Sequence, residues 1–125
     1  MPAPKPQFPR WISTVIILCC LIEAVLLLAD IFGWSQIRND ALLYGAFWSI
    51  LMHGGQGVFA GQGAAMFVTY GFLHAGLLHL GMNMVSLAAV GRELWRLMPA
   101  RLMALSYVVS QIAAAALYGW MDPAG

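Results

Sequence analysis

The sequence predicts an all-α membrane protein with three transmembrane helices and a long, interfacial external loop. Of its 125 residues, 62% are hydrophobic and only 9% are charged, against roughly 45–50% and about 25% in an ordinary soluble domain. A bilayer-spanning helix needs roughly 20 apolar residues, so the chain holds three or four spans and leaves no room for a separate soluble domain. Polar residues inside the apolar runs recur at helical rather than strand spacing. Six Lys and Arg face five Asp and Glu, for a formal net charge of +1, which is no basic field for nucleic acid.

The elements follow in order. Residues 1–10, MPAPKPQFPR, contain four prolines and read as an unstructured cytoplasmic leader. Residues 11–32 form the first span, 22 residues or about 33 Å as a helix. That is longer than the apolar core of a signal peptide, and no cleavage site precedes Asp30. Cys19 and Cys20 are adjacent inside it, where a disulfide would distort the helix, so they read as reduced packing residues. Residues 33–66 read as an external loop lying on the membrane. Trp34, Tyr44 and Trp48 suit the headgroup zone, and the glycines from Gly54 to Gly63 forbid a long helix.

Residues 67–90 form the second span, closed by a charged turn over 91–101 that carries Arg92, Glu93 and Arg96. The third span, 102–120, is rich in small residues. Ser106, Ser110 and Ala114 recur every four positions, a spacing that lets backbones approach and places the helix centrally in a bundle. Residues 121–125, Met-Asp-Pro-Ala-Gly, are a turn-like external end that would lead onward. Lys5, Arg10, Arg92, Arg96 and Arg101 fall on one side of this arrangement and Arg38 alone on the other. The positive-inside rule then puts the amino terminus in the cytoplasm and the carboxyl terminus outside, in a plasma or inner membrane.

The residues able to carry chemistry lie mostly in the second span. His79 and Asn83 are four apart and share a face, and Gly76 and Ser86 extend the same stripe as supporting positions. Two readings stand: hydrogen bonds that join helices, or a polar site within the membrane. His74, five residues before His79, falls about 140° round a continuous helix, so the two are not expected to share a metal. His53 and the eight methionines leave copper or haem ligation as a third alternative, though no metal or cofactor is expected. Glu23, inside the first span, requires either protonation or a partner.

Tyr70-Gly-Phe-Leu-His74, Ala-Gly-Leu-Leu-His79, Leu-Gly-Met-Asn83 and the closing Gly91-Arg92 resemble the second transmembrane helix of the rhomboid intramembrane serine proteases. The likeness runs in outline from Trp11 to Trp120. It implies the first half of a six-helix fold and a family activity of cleaving transmembrane substrates within the membrane. His79 and Asn83 would be the pair that stabilises the oxyanion, and His74 matches a position often occupied by histidine. The family places its serine nucleophile in a Gly-x-Ser-Gly turn at the start of the fourth helix and its base on the sixth. No such turn occurs here, and Ser86, Ser106 and Ser110 lie in helical stretches. The chain is therefore expected to be a truncated, inactive amino-terminal portion whose partners are lipid, the missing helices and transmembrane substrates. The alternative is a non-catalytic relative that binds transmembrane clients. Trp48 is followed by Ser49 where many rhomboids have Trp-Arg, which questions how the external loop is anchored.

Overall fold

The computed structural model describes all 125 residues. It is all-helical: α1 (Arg10–Ile31), α2 (Gln36–Gly45), a 3-10 turn (Ser49–His53), α3 (Gln62–Thr69) running into a second 3-10 turn (Tyr70–Phe72), α4 (Leu77–Leu94) and α5 (Ala100–Met121). Two helices, α1 and α5, are long and apolar enough to cross a membrane singly, and α3 with α4 makes a third crossing if the bent pair is one span. Only 15 of 125 residues are buried, so the interior is too small to stabilise a water-soluble fold. Ile17, Leu21, Val25 and Leu28 of α1 point outward, as a hydrocarbon surround requires.

Helix α1 starts where the proline-rich leader ends, with Pro9 at its N-cap, and stops before Gly33 at φ +80°. Its buried stripe is Ile12, Cys19, Glu23 and Leu26, of which Ile12 and Cys19 pack against α4. Cys19, Leu80 and Met84 form a small core with Val15, Ile16 and Phe72 around it. Cys19 is buried and Cys20 exposed, and both are free thiols. At the other end of the pair Gly91 lies against Ile12, and a Cβ there would collide with its Cδ1. This close crossing explains why α4 runs on through Gly91, Arg92 and Glu93 to Leu94 instead of ending at residue 90.

The 33–66 stretch is more structured than a surface loop. Helix α2 and the first 3-10 turn fold back on the bundle through specific polar ties. Gln62 is buried; its amide donates to the Leu43 carbonyl at 2.7 Å and its oxygen accepts from the Val58 N–H at 2.7 Å. The Thr69 hydroxyl donates to the Gly45 carbonyl, and His53 Nε2 lies 2.8 Å from the Gly119 carbonyl. Glu23, 2% exposed, receives the Arg38 guanidinium at 3.0 Å, and the same guanidinium reaches Asp30 at 2.6 Å. Hydrogen bonds to these two carboxylates hold the Arg38 pKa above its ordinary value, so it stays charged. These contacts anchor the 33–66 stretch without an arginine after Trp48; the Ser49 hydroxyl is buried without a partner.

Two expectations are corrected. The helix expected over 67–90 is broken, and α3 with its 3-10 extension meets α4 at 85°. Gly76 adopts φ +116°, ψ 177°, a region essentially confined to glycine, and Leu73 is extended. Gly76 therefore precedes α4 rather than lying on its face. The stripe Ser106, Ser110 and Ala114 is exposed rather than packed; α5 packs on α3 and the loop through another face, with Met103, Ala115 and Gly119 buried. Helices α4 and α5 barely touch, leaving a cleft between them.

Replacing Arg38 with Met leaves Glu23 buried without its cation and is expected to destabilise the fold by roughly 3 kcal/mol, the low end for breaking a buried pair. The double replacement Glu23→Met with Arg38→Met should recover most of that loss. Equilibrium unfolding in mixed micelles measures both, and equal destabilisation by the single and double variants would contradict the pairing.

Candidate functional site

The break between α3 and α4 builds the site. Were the helix continuous, His74 and His79 would point in different directions. Because Leu73 to Gly76 is non-helical, His74 folds back over the first turn of α4, and the two imidazoles meet edge to face with centroids 5.4 Å apart. The expected 140° separation is thus overturned by the bend.

Hydrogen bonds then orient His79. The Ala75 N–H donates to its Nδ1 at 3.2 Å. An imidazole that accepts at Nδ1 is neutral and carries its proton on Nε2, so His79 presents a free N–H donor. One turn on, Asn83 Nδ2 donates to the His79 carbonyl at 2.8 Å. That uses one of its two amide hydrogens and leaves the other available, together with its oxygen. Both side chains are exposed and line the cleft, whereas Ser86, three residues beyond Asn83, is exposed but does not line it.

The cleft holds about 370 Å³, with Tyr70, His74, His79 and Asn83 on one side and Tyr107 and Ser110 on the other. A second cavity of about 490 Å³ opens toward α2, lined by Arg38, Leu42 and Phe47. Tyr70, His74 and His79 border both, so the histidine pair stands where the two spaces meet. The His74 Nδ1 is buried and unpaired. His53 is remote from this pair, engaged with Gly119, and no three His, Cys, Asp or Glu side chains converge as a metal centre would require.

Three participants were not singled out from sequence as a working set. Gln111 of α5 donates from Nε2 to the carbonyls of Phe67 and Val68 at 3.2 and 2.9 Å. The Tyr70 hydroxyl returns a hydrogen bond to the Gln111 carbonyl. Arg38 had counted only as a loop charge, yet it is the partner of Glu23. A lone amide within an apolar helix is the signal that could have found Gln111, since polar groups at that depth require partners.

Together the fold and site define a helical membrane protein with a polar cleft between two of its helices. A family model of the rhomboid domain matches residues 61–125, just over half of the chain, and the chain belongs to the rhomboid family. No curated protein and no solved structure gives a significant match.

Gly76→Ala meets no steric obstacle, since nothing lies within 4 Å of a Cβ there; its cost is purely the backbone conformation, about 1–3 kcal/mol. The variant should unfold correspondingly earlier and lose the Ala75–His79 hydrogen bond. Thermal unfolding and the ¹⁵N shifts of labelled histidine report the two effects, and unchanged stability would refute the assigned backbone geometry.

Proposed function

We propose that His79 and Asn83 supply the oxyanion-stabilising half of an intramembrane serine endopeptidase site. The observation that carries this reading is the tautomer of His79. With Nδ1 occupied by the Ala75 N–H, its Nε2–H is a donor with no partner in the chain, one turn from the spare amide hydrogen of Asn83. When a serine attacks a peptide carbonyl, the carbonyl oxygen gains the negative charge. Donors already oriented in a site poor in water stabilise that charge without reorganising. Membership of the rhomboid family supports the assignment, and His74, packed on His79, fits a supporting role, as does Gly76 through the turn that places it. Ser86 lies outside the cleft lining and has no part in this reading.

The nucleophile and base are not among these residues. No Gly-x-Ser-Gly turn is present, and Ser86, Ser106 and Ser110 sit within α4 and α5. Hydrolysis requires an activated nucleophile within hydrogen-bond reach of its base, so these 125 residues alone are inactive. In the six-helix arrangement the fourth helix carries the serine, and the open cleft between α4 and α5 offers it a place beside His79. The protein is read as multi-pass, with its amino terminus cytoplasmic and the cleft opening outward; the cation count on the two sides supports that orientation.

A second reading, a non-catalytic relative that holds transmembrane clients in the same cleft, is favoured by the exposure of His79 and Asn83 beside apolar helix faces. One reconstitution separates the two. The chain is placed in vesicles with a transmembrane reporter, alone or with a separately expressed segment carrying a rhomboid nucleophile turn and histidine helix. No cleavage is expected alone, and cleavage is expected on complementation. His79→Ala or Asn83→Ala should each lower kcat by about 10²–10³ with little change in KM. Cleavage indifferent to both substitutions overturns the oxyanion assignment. Reporter that co-purifies uncut, and is released by the same substitutions, establishes the binding role instead.

A further inference from the structure

We propose that Gln111 is a positioning residue for the His74–His79 pair, acting through the end of α3. Ending α3 at Thr69 frees backbone carbonyls that water would satisfy in a soluble protein and that hydrocarbon cannot. A Gln amide carries two hydrogens on one nitrogen. Gln111 Nε2 lies 3.2 Å from the Phe67 carbonyl and 2.9 Å from that of Val68, so one side chain from α5 closes two adjacent acceptors. The Tyr70 hydroxyl bonds the Gln111 backbone carbonyl, which fastens the 3-10 turn to the same residue. Gly71 completes the fit: the amide packs flat against it, and a Cβ would overlap the amide nitrogen and oxygen.

The consequence reaches His79 through the chain path. The interlock fixes where α3 stops and the 85° bend begins. The bend keeps Leu73 to Gly76 out of helix, and that segment carries both His74 and the Ala75 N–H that sets the His79 tautomer. Gln111 touches neither histidine, so its influence on them is transmitted by backbone geometry. A helix continued through residues 70–76 would satisfy its own carbonyls, dispense with Gln111, and carry His74 away from His79.

This role deepens the reading of His79 as an oxyanion donor and rests on it for its functional meaning, but its test is independent of cleavage. The whole chain, with ¹³C,¹⁵N-labelled histidine, is studied by NMR in lipid micelles. In the unaltered protein we expect a cross-peak between the His74 and His79 rings and a His79 Nδ1 shift typical of an unprotonated acceptor. Gln111→Leu should abolish the cross-peak and let the His79 tautomers mix, with helix content retained. Gly71→Ala should produce the same loss by displacing the amide while leaving Gln111 in the sequence. Gln111→Glu, whose neutral carboxyl keeps one donor, should restore part of the signal. If Gln111→Leu fails to fold, the Gly71→Ala spectrum decides. Ring contact and tautomer that persist in a folded Gln111→Leu or Gly71→Ala variant overturn the proposal. So does their loss in Gln111→Leu alone while Gly71→Ala is unchanged. Failure of the complemented protease with the histidine signature intact would count against the oxyanion reading and leave the positioning role standing.

Discussion

Every backbone carbonyl at membrane depth needs a partner within the protein, and the interruption between α3 and α4 is tolerable only because that requirement is met locally. A straight helix would meet it without assistance. The chain instead spends a glycine in a strained conformation at residue 76, a glutamine from α5 and a tyrosine hydroxyl to support a bend. In return, two histidines five apart in sequence come into ring contact, and an N–H from the bend fixes the proton on one of them. The cleft between α4 and α5 has the same origin. Because α3 takes up the α5 contact, α4 is free to lean on α1 and leaves the space beside His79 and Asn83 open.

A second constraint organises the packing of the 33–66 stretch on α1. Glu23 lies about two-thirds of the way along α1 and is almost wholly buried, where an unpaired carboxylate would be strongly disfavoured. Arg38 answers it from α2 and binds Asp30 as well, so a residue of the 33–66 stretch is held against α1. That tie keeps α2 beside the second cavity, where Arg38, Leu42 and Phe47 face the histidine pair from the other side. The polar bonds of Gln62, Thr69 and His53 complete the attachment of the loop.

Much of this was legible in the residues because the hydrocarbon setting leaves few solutions. Composition and run length identified an all-helical membrane protein, and the His79 and Asn83 motif with its neighbours pointed to the rhomboid family. The need of Glu23 for a partner was also readable, though not which cation would supply it, since Arg38 sits fifteen residues away in what looked like a polar loop. The bend was hidden because the stretch from Phe67 to Val90 is predominantly apolar with no proline or charged residue to interrupt it, and Gly71 and Gly76 are unremarkable among the many glycines of membrane helices. Periodicity assumes an unbroken helix, so once the helix breaks, angular arguments across the break fail, as they did for His74. The small-residue stripe of α5 has the spacing of a packing face, but spacing cannot say which partner is present to pack against it.

The chemistry of the cleft follows from keeping charge and dipole apart. The nearby cation, Arg38, is committed to Glu23 and Asp30 and so is not free to bind an anion at the histidine pair. What the cleft offers instead are neutral donors: an imidazole N–H whose tautomer is set by Ala75, and an amide hydrogen from Asn83, itself steadied by the His79 carbonyl. Burying a neutral donor costs far less than burying a charge. In the proposed role, a donor held by the backbone is already in place when negative charge develops on a carbonyl oxygen. By supplying the Ala75 N–H, the bend therefore makes His79 accept at Nδ1 and donate from Nε2.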